Sequence, residues 1–136
     1  MRYRSTAYPG LQMQSIARTY PSGVSLVTEG RADLLYIQAQ NRGAGDIRFW
    51  FGPVPNAVGG GNLPLDPITW TTAERTHAEG LIDDYGLSFS NREILELRVA
   101  PTGPVYSYNA GAPNNTHVLL GYPEDYEQPP GGWYDA

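Results

Sequence analysis

The 136-residue chain contains neither cysteine nor lysine, and these two absences exclude several kinds of chemistry. Without cysteine there is no disulfide framework, no thiolate zinc site and no cysteine nucleophile. Without lysine there is no Schiff-base lysine, no phosphate-loop lysine and no lysine general base. The absence of lysine is explained as well by a bias in genomic composition as by a functional requirement. All nine basic residues are therefore arginine.

Long apolar runs are also missing. No segment approaches the length of a membrane-spanning helix, and the N-terminus lacks the apolar stretch of a signal peptide. We therefore expect a soluble chain that does not enter membranes and is not exported by a cleaved signal. The sixteen glycines and twelve prolines lie between short apolar segments, which predicts many turns rather than one disordered tract.

The net charge of −5 is unevenly distributed along the chain. Residues 1–50 carry six arginines and three acidic residues, a balance of +3, whereas residues 51–136 carry three arginines and eleven acidic residues, a balance of −8. Chance produces such asymmetry, but it also suits head-to-tail contact between copies, because opposite charges align partners. The acidic total argues against general nucleic-acid binding.

Short segments with alternating apolar residues indicate half-buried β-strands. In the clearest pair, residues 35–40 and 47–51 each place three apolar side chains on one face. The connector Asn41–Asp46 contains glycines and an asparagine that tolerate positive φ, so the pair is predicted to form a hairpin. The seven strand-like segments are Val24–Val27, Leu35–Gln40, Ile47–Phe51, Leu87–Phe89, Ile94–Val99, Val105–Tyr108 and His117–Tyr122.

Two segments depart from the strand pattern. Gly52–Pro67 is rich in glycine and proline and is predicted to be a long loop. Trp70–Tyr85 is predicted to contain one short helix, because Thr71 and Glu74 have capping-box spacing. The fold class expected is all-β, an antiparallel β-sandwich or barrel-like domain with long loops, one short helix and extended termini; a small α+β domain is the alternative. The helical face is expected to contain Ala73, His77 and Leu81.

The chain divides into three predicted regions. Residues 1–22 form an extended N-terminal arm, residues 23–122 the β-sandwich domain, and residues 123–136 an extended acidic C-terminal tail. The arm and the tail have too little apolar alternation for a core of their own, yet they are rich in aromatic residues, so we expect them to bind neighbouring subunits. The interface candidates are Arg2, Tyr3, Arg4, Tyr8, Leu11, Met13, Ile16, Arg18, Tyr20, Trp50, Tyr126, Trp133 and Tyr134.

Metal ligands are few. His77 with Glu74 or Glu79, together with the distant His117, contains the donor types of a mixed nitrogen and oxygen site. Their spacing matches no metal motif, and acidic residues beside a helical histidine are common. We therefore expect no metal and no cofactor.

The sequence also lacks a recognisable catalytic motif. No Gly-x-Ser-x-Gly elbow supports a serine nucleophile. Glu93 and Glu96 are the most suggestive acidic pair for glycoside hydrolysis, but positions three apart in a strand lie on opposite faces. We therefore expect no enzyme activity, with a small enzyme that uses an acidic pair as the least favoured alternative.

Exposed aromatic residues suggest binding instead. Trp50 lies on the face of its strand opposite Phe49 and is expected to be exposed unless another layer covers it. Tyr106 and Tyr108 share a face of a later strand. Tryptophan and tyrosine at such positions are typical of protein interfaces and of sugar-stacking platforms. A carbohydrate-binding module is therefore an alternative to an assembly protein.

Several motifs resemble a small β domain found in structural proteins of tailed bacteriophages. They are Leu34-Leu35-Tyr36-Ile37-Gln38 with Asn41, then Gly45-Asp46-Ile47-Arg48-Phe49-Trp50-Phe51-Gly52, then residues 93–97, 101–106 and 118–124. In that family an I-Q-N strand pairs with an I…F-G strand. The resemblance covers about residues 33–124, and this chain departs from it in an insertion over residues 53–88 and in its long termini.

The resemblance implies a non-enzymatic virion component without a cofactor. Such proteins include capsid decoration (cement) proteins, head-spike bases and minor tail components with receptor-binding roles. A cement protein is the favoured function, with the major capsid protein as partner, a homo-oligomer such as a trimer as the assembly form, and no nucleic-acid or membrane partner. The expected location is the capsid surface of the virion, after synthesis in the host cytoplasm.

Overall fold

The computed structural model describes residues 2–4, 11–29, 36–97 and 103–123. Within these ranges the chain forms nine strands and one α-helix, and every strand pairing is antiparallel. The predicted all-β fold with one short helix is confirmed. The elements are β1 (Arg2–Arg4), β2 (Leu11–Tyr20), β3 (Gly23–Thr28), β4 (Tyr36–Asn41), β5 (Ile47–Phe51), a 3-10 helix (Pro67–Thr69), α1 (Thr72–Tyr85), β6 (Leu87–Phe89), β7 (Ile94–Leu97), β8 (Val105–Asn109) and β9 (Asn114–Pro123).

Two sheets stack to form a sandwich. The first sheet has the order β1-β2-β9-β4-β7, and the second has the order β3-β8-β5-β6. Alternate residues of the strands that contribute to the core point between the sheets, as the period of two requires. Leu35 lies outside the described residues, whereas Ile37, Ala39, Ile47 and Phe49 of the two predicted apolar faces do face this core. Its buried members are Ile16, Tyr20, Val27, Ile37, Ala39, Ile47, Phe49, Phe89, Val105, Val118, Leu120 and Tyr122.

Helix α1 covers the outer face of the second sheet and forms a second core with it. The helix begins where the sequence predicts, because Thr71 and Glu74 form the capping box reciprocally. Of the three residues expected to share a helical face, Leu81 packs against this second core, whereas Ala73 is exposed and His77 is partly buried. Ala78 and Ile82 are the buried helical residues, and they pack against the outward-facing side chains of β3 and β8.

The predicted hairpin between β4 and β5 is wrong. Strand β4 pairs with β7 and β9, whereas β5 pairs with β6 and β8, so the two strands lie in opposite sheets. The pairing implied by the family resemblance is therefore also absent. Alternation establishes that each strand has one apolar face. Two such strands can bury these faces either as neighbours in one sheet or as members of two stacked sheets, so alternation does not decide between the two arrangements. The buried Asn41 amide holds the connector by donating to the carbonyl of Gly45 at 2.7 Å.

The predicted extended arm over residues 1–22 is wrong for Leu11–Tyr20. This segment is β2, which pairs along its whole length with β9. Three of the interface candidates, Met13, Ile16 and Tyr20, are buried within the chain itself. The apolar alternation typical of a strand is not visible in β2. The polar residues Gln14 and Arg18 lie on the same side of the strand as the apolar residues Ile16 and Tyr20. Residues 124–136, the predicted tail, lie outside the described residues.

Candidate interaction site

A cavity of about 450 Å³ opens on the side of the sandwich where β3 forms the edge of the second sheet. The neighbouring edge of the first sheet is only partly covered, since β1 pairs with Gln12–Gln14 of β2. Among the described residues, Ser15–Tyr20 of β2 has no strand partner on that side. The cavity is lined by Arg18, Pro21, Val24, Ser25, Leu26, Asp66, Pro67, Ile68 and Arg75.

Two arginines from distant parts of the chain meet at this cavity. Arg18 on β2 donates through Nη1 to the carbonyl of Leu26 at 2.7 Å, and its Cζ lies 5.0 Å from the ring centroid of Tyr20. Arg75 on α1 donates through Nη2 to the carbonyl of Pro67, and its Cζ lies 5.9 Å from the Trp70 ring centroid. These contacts orient both side chains, and a guanidinium group has five N–H donors, so donors remain for a ligand.

The charge of the two guanidinium groups is not neutralised by a close ion pair. In the described part of the chain, no carboxylate forms a salt bridge with Arg18 or Arg75. Asp66 lines the same cavity, but its Oδ1 accepts from the backbone N–H of Ile68 at 3.1 Å, which caps the 3-10 helix. The side chain of Ile68 is 81% exposed beside these charges. The cavity therefore combines a net positive charge with apolar walls, which suits an acidic ligand that also has apolar groups.

A serine and a histidine meet on the outer face of the first sheet. Ser15 Oγ on β2 lies 2.5 Å from Nε2 of His117 on β9. Partial burial, reinforced by the nearby charge of Arg42, holds the pKa of His117 below its ordinary value of 6.5. A neutral imidazole accepts a hydrogen bond from the serine hydroxyl. Within the described ranges no carboxylate pairs with His117, so the third group of a catalytic triad is not present there.

The structure separates most of the predicted interface candidates. Arg18 lines the cavity, whereas Met13, Ile16 and Tyr20 belong to the interior. Strand β1 contains Arg2, Tyr3 and Arg4, and Leu11 is the first residue of β2; their side chains are not described. Tyr8, Tyr126, Trp133 and Tyr134 lie outside the described residues.

The aromatic platform predicted on the second sheet lies under α1. Trp50 is half-buried, and its ring meets the ring of Tyr85 from the helix at a centroid distance of 6.3 Å. Tyr106 is 1% exposed and packs edge-on against Trp70 at 5.2 Å. Tyr108 is also partly buried in this second core. The sequence predicts that Trp50 is exposed unless another layer covers it, and helix α1 is that layer.

The residues considered as metal ligands are not brought together. His117 lies on the outer face of the first sheet, whereas His77 and its acidic neighbours lie on α1, which covers the other sheet. Glu74 is occupied by the capping box and by a 2.8 Å hydrogen bond from Asn56. The described residues contain no cluster of three or more potential metal ligands.

Glu96 of β7 and Glu93, which precedes this strand, are also divided. Glu96 accepts a hydrogen bond from Tyr36 Oη at 2.8 Å. Glu93 instead accepts from the hydroxyl and backbone N–H of Ser90, which lowers the pKa of its carboxyl group. The two carboxyl groups therefore have separate hydrogen-bond partners.

Sequence reasoning missed Arg75 and the contact between Ser15 and His117. Arg75 carries no motif and is one of nine arginines in the chain. Ser15 and His117 are 102 positions apart, and only the pairing of β2 with β9 places them side by side. The alternation of β9 does predict that His117 faces away from Val118, but it does not identify the neighbouring strand.

No protein-family model matches this chain, and no curated protein matches it. Among solved structures, it is similar to a protein described as belonging to "Bacillus endospore appendages", which "form a novel family of disulfide-linked pili". The TM-score is 0.45 at 8% identity, and the alignment covers 90% of this chain and 96% of that chain. A likeness of this degree says nothing about function, and the present chain has no cysteine. Among the described residues, no helix has the length and apolar character needed to cross a membrane.

Proposed function

We propose that this chain is a non-enzymatic structural protein of a tailed-bacteriophage virion, and specifically a capsid decoration protein that binds the head shell. The observation that carries the proposal is that the motif segments that resemble the phage family lie in strands of the sandwich, although β4 and β5 do not form the pair expected from that family. They fall in β4, β7 and β9, which are adjacent in the first sheet, and in β5 and β8, which are adjacent in the second. These strands contribute most of the core between the sheets.

The surface of the sandwich supports a binding role. The partly uncovered edge of β2 can accept an extended segment from a neighbouring protein by backbone pairing. The adjacent cavity provides positive charge and apolar walls for side chains of such a segment. The alternative of a carbohydrate-binding module has less support, because Trp50 and Tyr106 lie beneath α1 rather than on an open platform.

The proposal is tested on virions of the phage whose genome encodes the chain. Heads and tails are separated and analysed by quantitative mass spectrometry, and an antibody against the recombinant chain is used for immunogold electron microscopy. We expect the chain on heads at a fixed ratio to the major capsid protein. Its absence from virions would refute a virion role, and its presence on tails alone would assign it to the minor tail components.

The contribution of the tail to attachment is tested separately. Heads that lack the chain are incubated with the purified full-length protein or with a variant that ends at residue 123. Deletion of residues 1–22 is unsuitable, because it removes β1 and β2 from the first sheet and leaves β9 without its partner on that side. We expect the variant to remain folded by circular dichroism and to attach more weakly. Equal attachment of both proteins would show that residues 124–136 do not contribute to binding the head.

A further inference from the structure

We infer that the cavity between Arg18 and Arg75 binds the acidic segment 124–136 of a second copy of this chain. The inference rests on the proposed assembly function, and it names the contact by which copies join each other. It starts from the two guanidinium groups, which backbone carbonyls and aromatic rings hold; among the described residues no carboxylate forms a salt bridge with them. A partner that supplies carboxylates would complete their hydrogen bonding.

The composition of segment 124–136 matches the cavity. It carries four acidic residues and no basic residue, whereas the first fifty residues of the chain have a balance of +3. It also carries two tyrosines and one tryptophan, whose rings suit the proline and isoleucine walls and can stack on arginine. The cavity volume of about 450 Å³ lies within the ordinary range of ligand pockets, so it holds a few side chains of the segment.

The strand register separates the start of the segment from the cavity of its own chain. Residue Pro123, after which the segment begins, pairs with Leu11 at one end of β2. Arg18 lies seven residues further along the same strand, which is about 23 Å at 3.3 Å per residue. Pro123 and the cavity therefore lie about 23 Å apart within one chain. Contacts between the segment of one copy and the cavity of the next are heterologous, so they generate a ring or an open chain of subunits.

The part of the β2 edge that no described strand covers lies beside the cavity and provides a second point of attachment. Strand β1 covers Gln12–Gln14, and Arg18 stands four residues beyond the end of that pairing. An extended segment that enters the cavity can also pair with this edge, as in strand addition. Backbone pairing would supply affinity, while the carboxylates would fix position and direction.

The first experiment measures self-association of the full-length protein by sedimentation equilibrium. We expect association that rises with protein concentration and weakens as salt is raised, because partly exposed charges are screened. The double variant Arg18→Gln and Arg75→Gln should weaken association about tenfold, given the usual strength of such ion pairs. Arg92→Gln is the matched control, since it removes the same charge from an exposed turn next to β6 and β7, at the opposite edges of the two sheets.

A second variant guards against damage to the fold, because Arg18 and Arg75 contact the domain. Replacing the four acidic residues of the segment, with Glu124→Gln, Asp125→Asn, Glu127→Gln and Asp135→Asn, should weaken association to the same extent. This variant then serves as the receptor for a fluorescein-labelled peptide of residues 124–136 in an anisotropy titration. Binding should fall about tenfold when the two arginines are also replaced, and it should remain when Arg92 is replaced.

Three results would overturn the inference. They are a protein that stays monomeric at all concentrations, association that is unchanged in the segment variant, and peptide binding that is unaffected by a folded Arg18→Gln and Arg75→Gln variant. Monomeric protein whose cavity is blocked by its own segment would also refute binding between copies. Neither assay contains a capsid, so a protein that self-associates in this way but does not attach to heads refutes the proposed function and leaves this inference standing.

Discussion

The side-chain amide of Asn41 donates a hydrogen bond to the backbone carbonyl of Phe89 at 2.9 Å, and thereby joins the first sheet to the second. Asn41 is fully buried at the end of β4, and Phe89 ends β6. The same amide donates to the carbonyl of Gly45, and its Oδ1 accepts from the backbone N–H of Gly43 at 2.8 Å. One side chain therefore holds the turn that carries the chain from one sheet to the other.

Replacement of Asn41 by alanine should lower the free energy of unfolding by about 2–3 kcal/mol. The carbonyl of Phe89 and the N–H of Gly43 would lose their partner, whereas the carbonyl of Gly45 keeps its 2.9 Å hydrogen bond from Asn114. Urea denaturation measures the effect. Asn115→Ala is the control, because Asn115 is exposed and its loss should change stability by no more than about 0.5 kcal/mol. Equal effects at both positions would show that the inter-sheet bond does not stabilise the fold.

Two glycines of the helical segment should respond oppositely to alanine. Gly80 lies inside α1, is exposed, and has open space around an added Cβ, so Gly80→Ala should stabilise the protein by about 0.5–1 kcal/mol. Gly86 caps the end of the helix, and an added Cβ there would overlap the carbonyl oxygen of Ile82. Gly86→Ala should therefore cost about 1–3 kcal/mol. Thermal and urea unfolding of both variants would test the pair, and stabilisation by both would contradict the packing at Gly86.

Stability should fall when the pH rises above 10. Burial raises the pKa of Tyr106 from 10.0 to about 12, and it also raises the pKa of Tyr20, against the opposing charge of Arg18. Because the folded state favours the neutral phenols, their contribution to stability is complete below pH 10 and is lost as the pH rises towards 12 and beyond. Urea midpoints measured from pH 8 to pH 11.5 would show this decline.

Tyr106→Phe isolates one part of that decline. The variant keeps the ring that packs on Trp70 and removes the group that titrates, so stability should fall less steeply between pH 10 and pH 12. Tyr85→Phe is the matched control, because the Tyr85 side chain is 69% exposed. A slope that is unchanged in Tyr106→Phe would show that Tyr106 ionises equally readily in the folded and unfolded states.

His117 should titrate below pH 6.5 in the folded protein. Burial is the larger cause of its lowered pKa, and the charge of Arg42 is the second. The fold therefore favours the neutral imidazole, so its contribution to stability is complete above pH 6.5 and is lost as the pH falls through the lowered pKa. Proton NMR of the Hε1 resonance measures this pKa directly, with His77→Gln used for assignment.

Arg42→Gln separates the two causes of the His117 shift. We expect the pKa to rise towards 6.5, because one nearby positive charge is lost while burial remains. Arg75→Gln removes an equal charge from α1, which covers the other sheet, and should leave the pKa unchanged. An unchanged pKa in the Arg42 variant would assign the whole effect to burial.

Local patterns in the sequence determined the positions of most elements. Alternation of apolar residues located β5 and the core-facing sides of β4 and β7. The alternation is visible in the sequence because it is a property of a single strand and does not depend on which strand pairs with it. The helix start was equally local, since the capping box joins Thr71 to a residue three positions later. Strand β2 escaped detection because Gln14 and Arg18 interrupt its inward-facing positions, although Gln14 is 2% exposed.

The tertiary structure alone decided which faces meet. An apolar face must be buried against another element. The sequence does not show whether that element is a neighbouring strand, the opposite sheet or a helix. For this reason β4 and β5 lie across the core instead of forming a hairpin, and α1 covers Trp50. Contacts between distant residues, such as Ser15 with His117 and the cavity shared by Arg18 and Arg75, exist only because strand pairing and helix packing bring separate segments together.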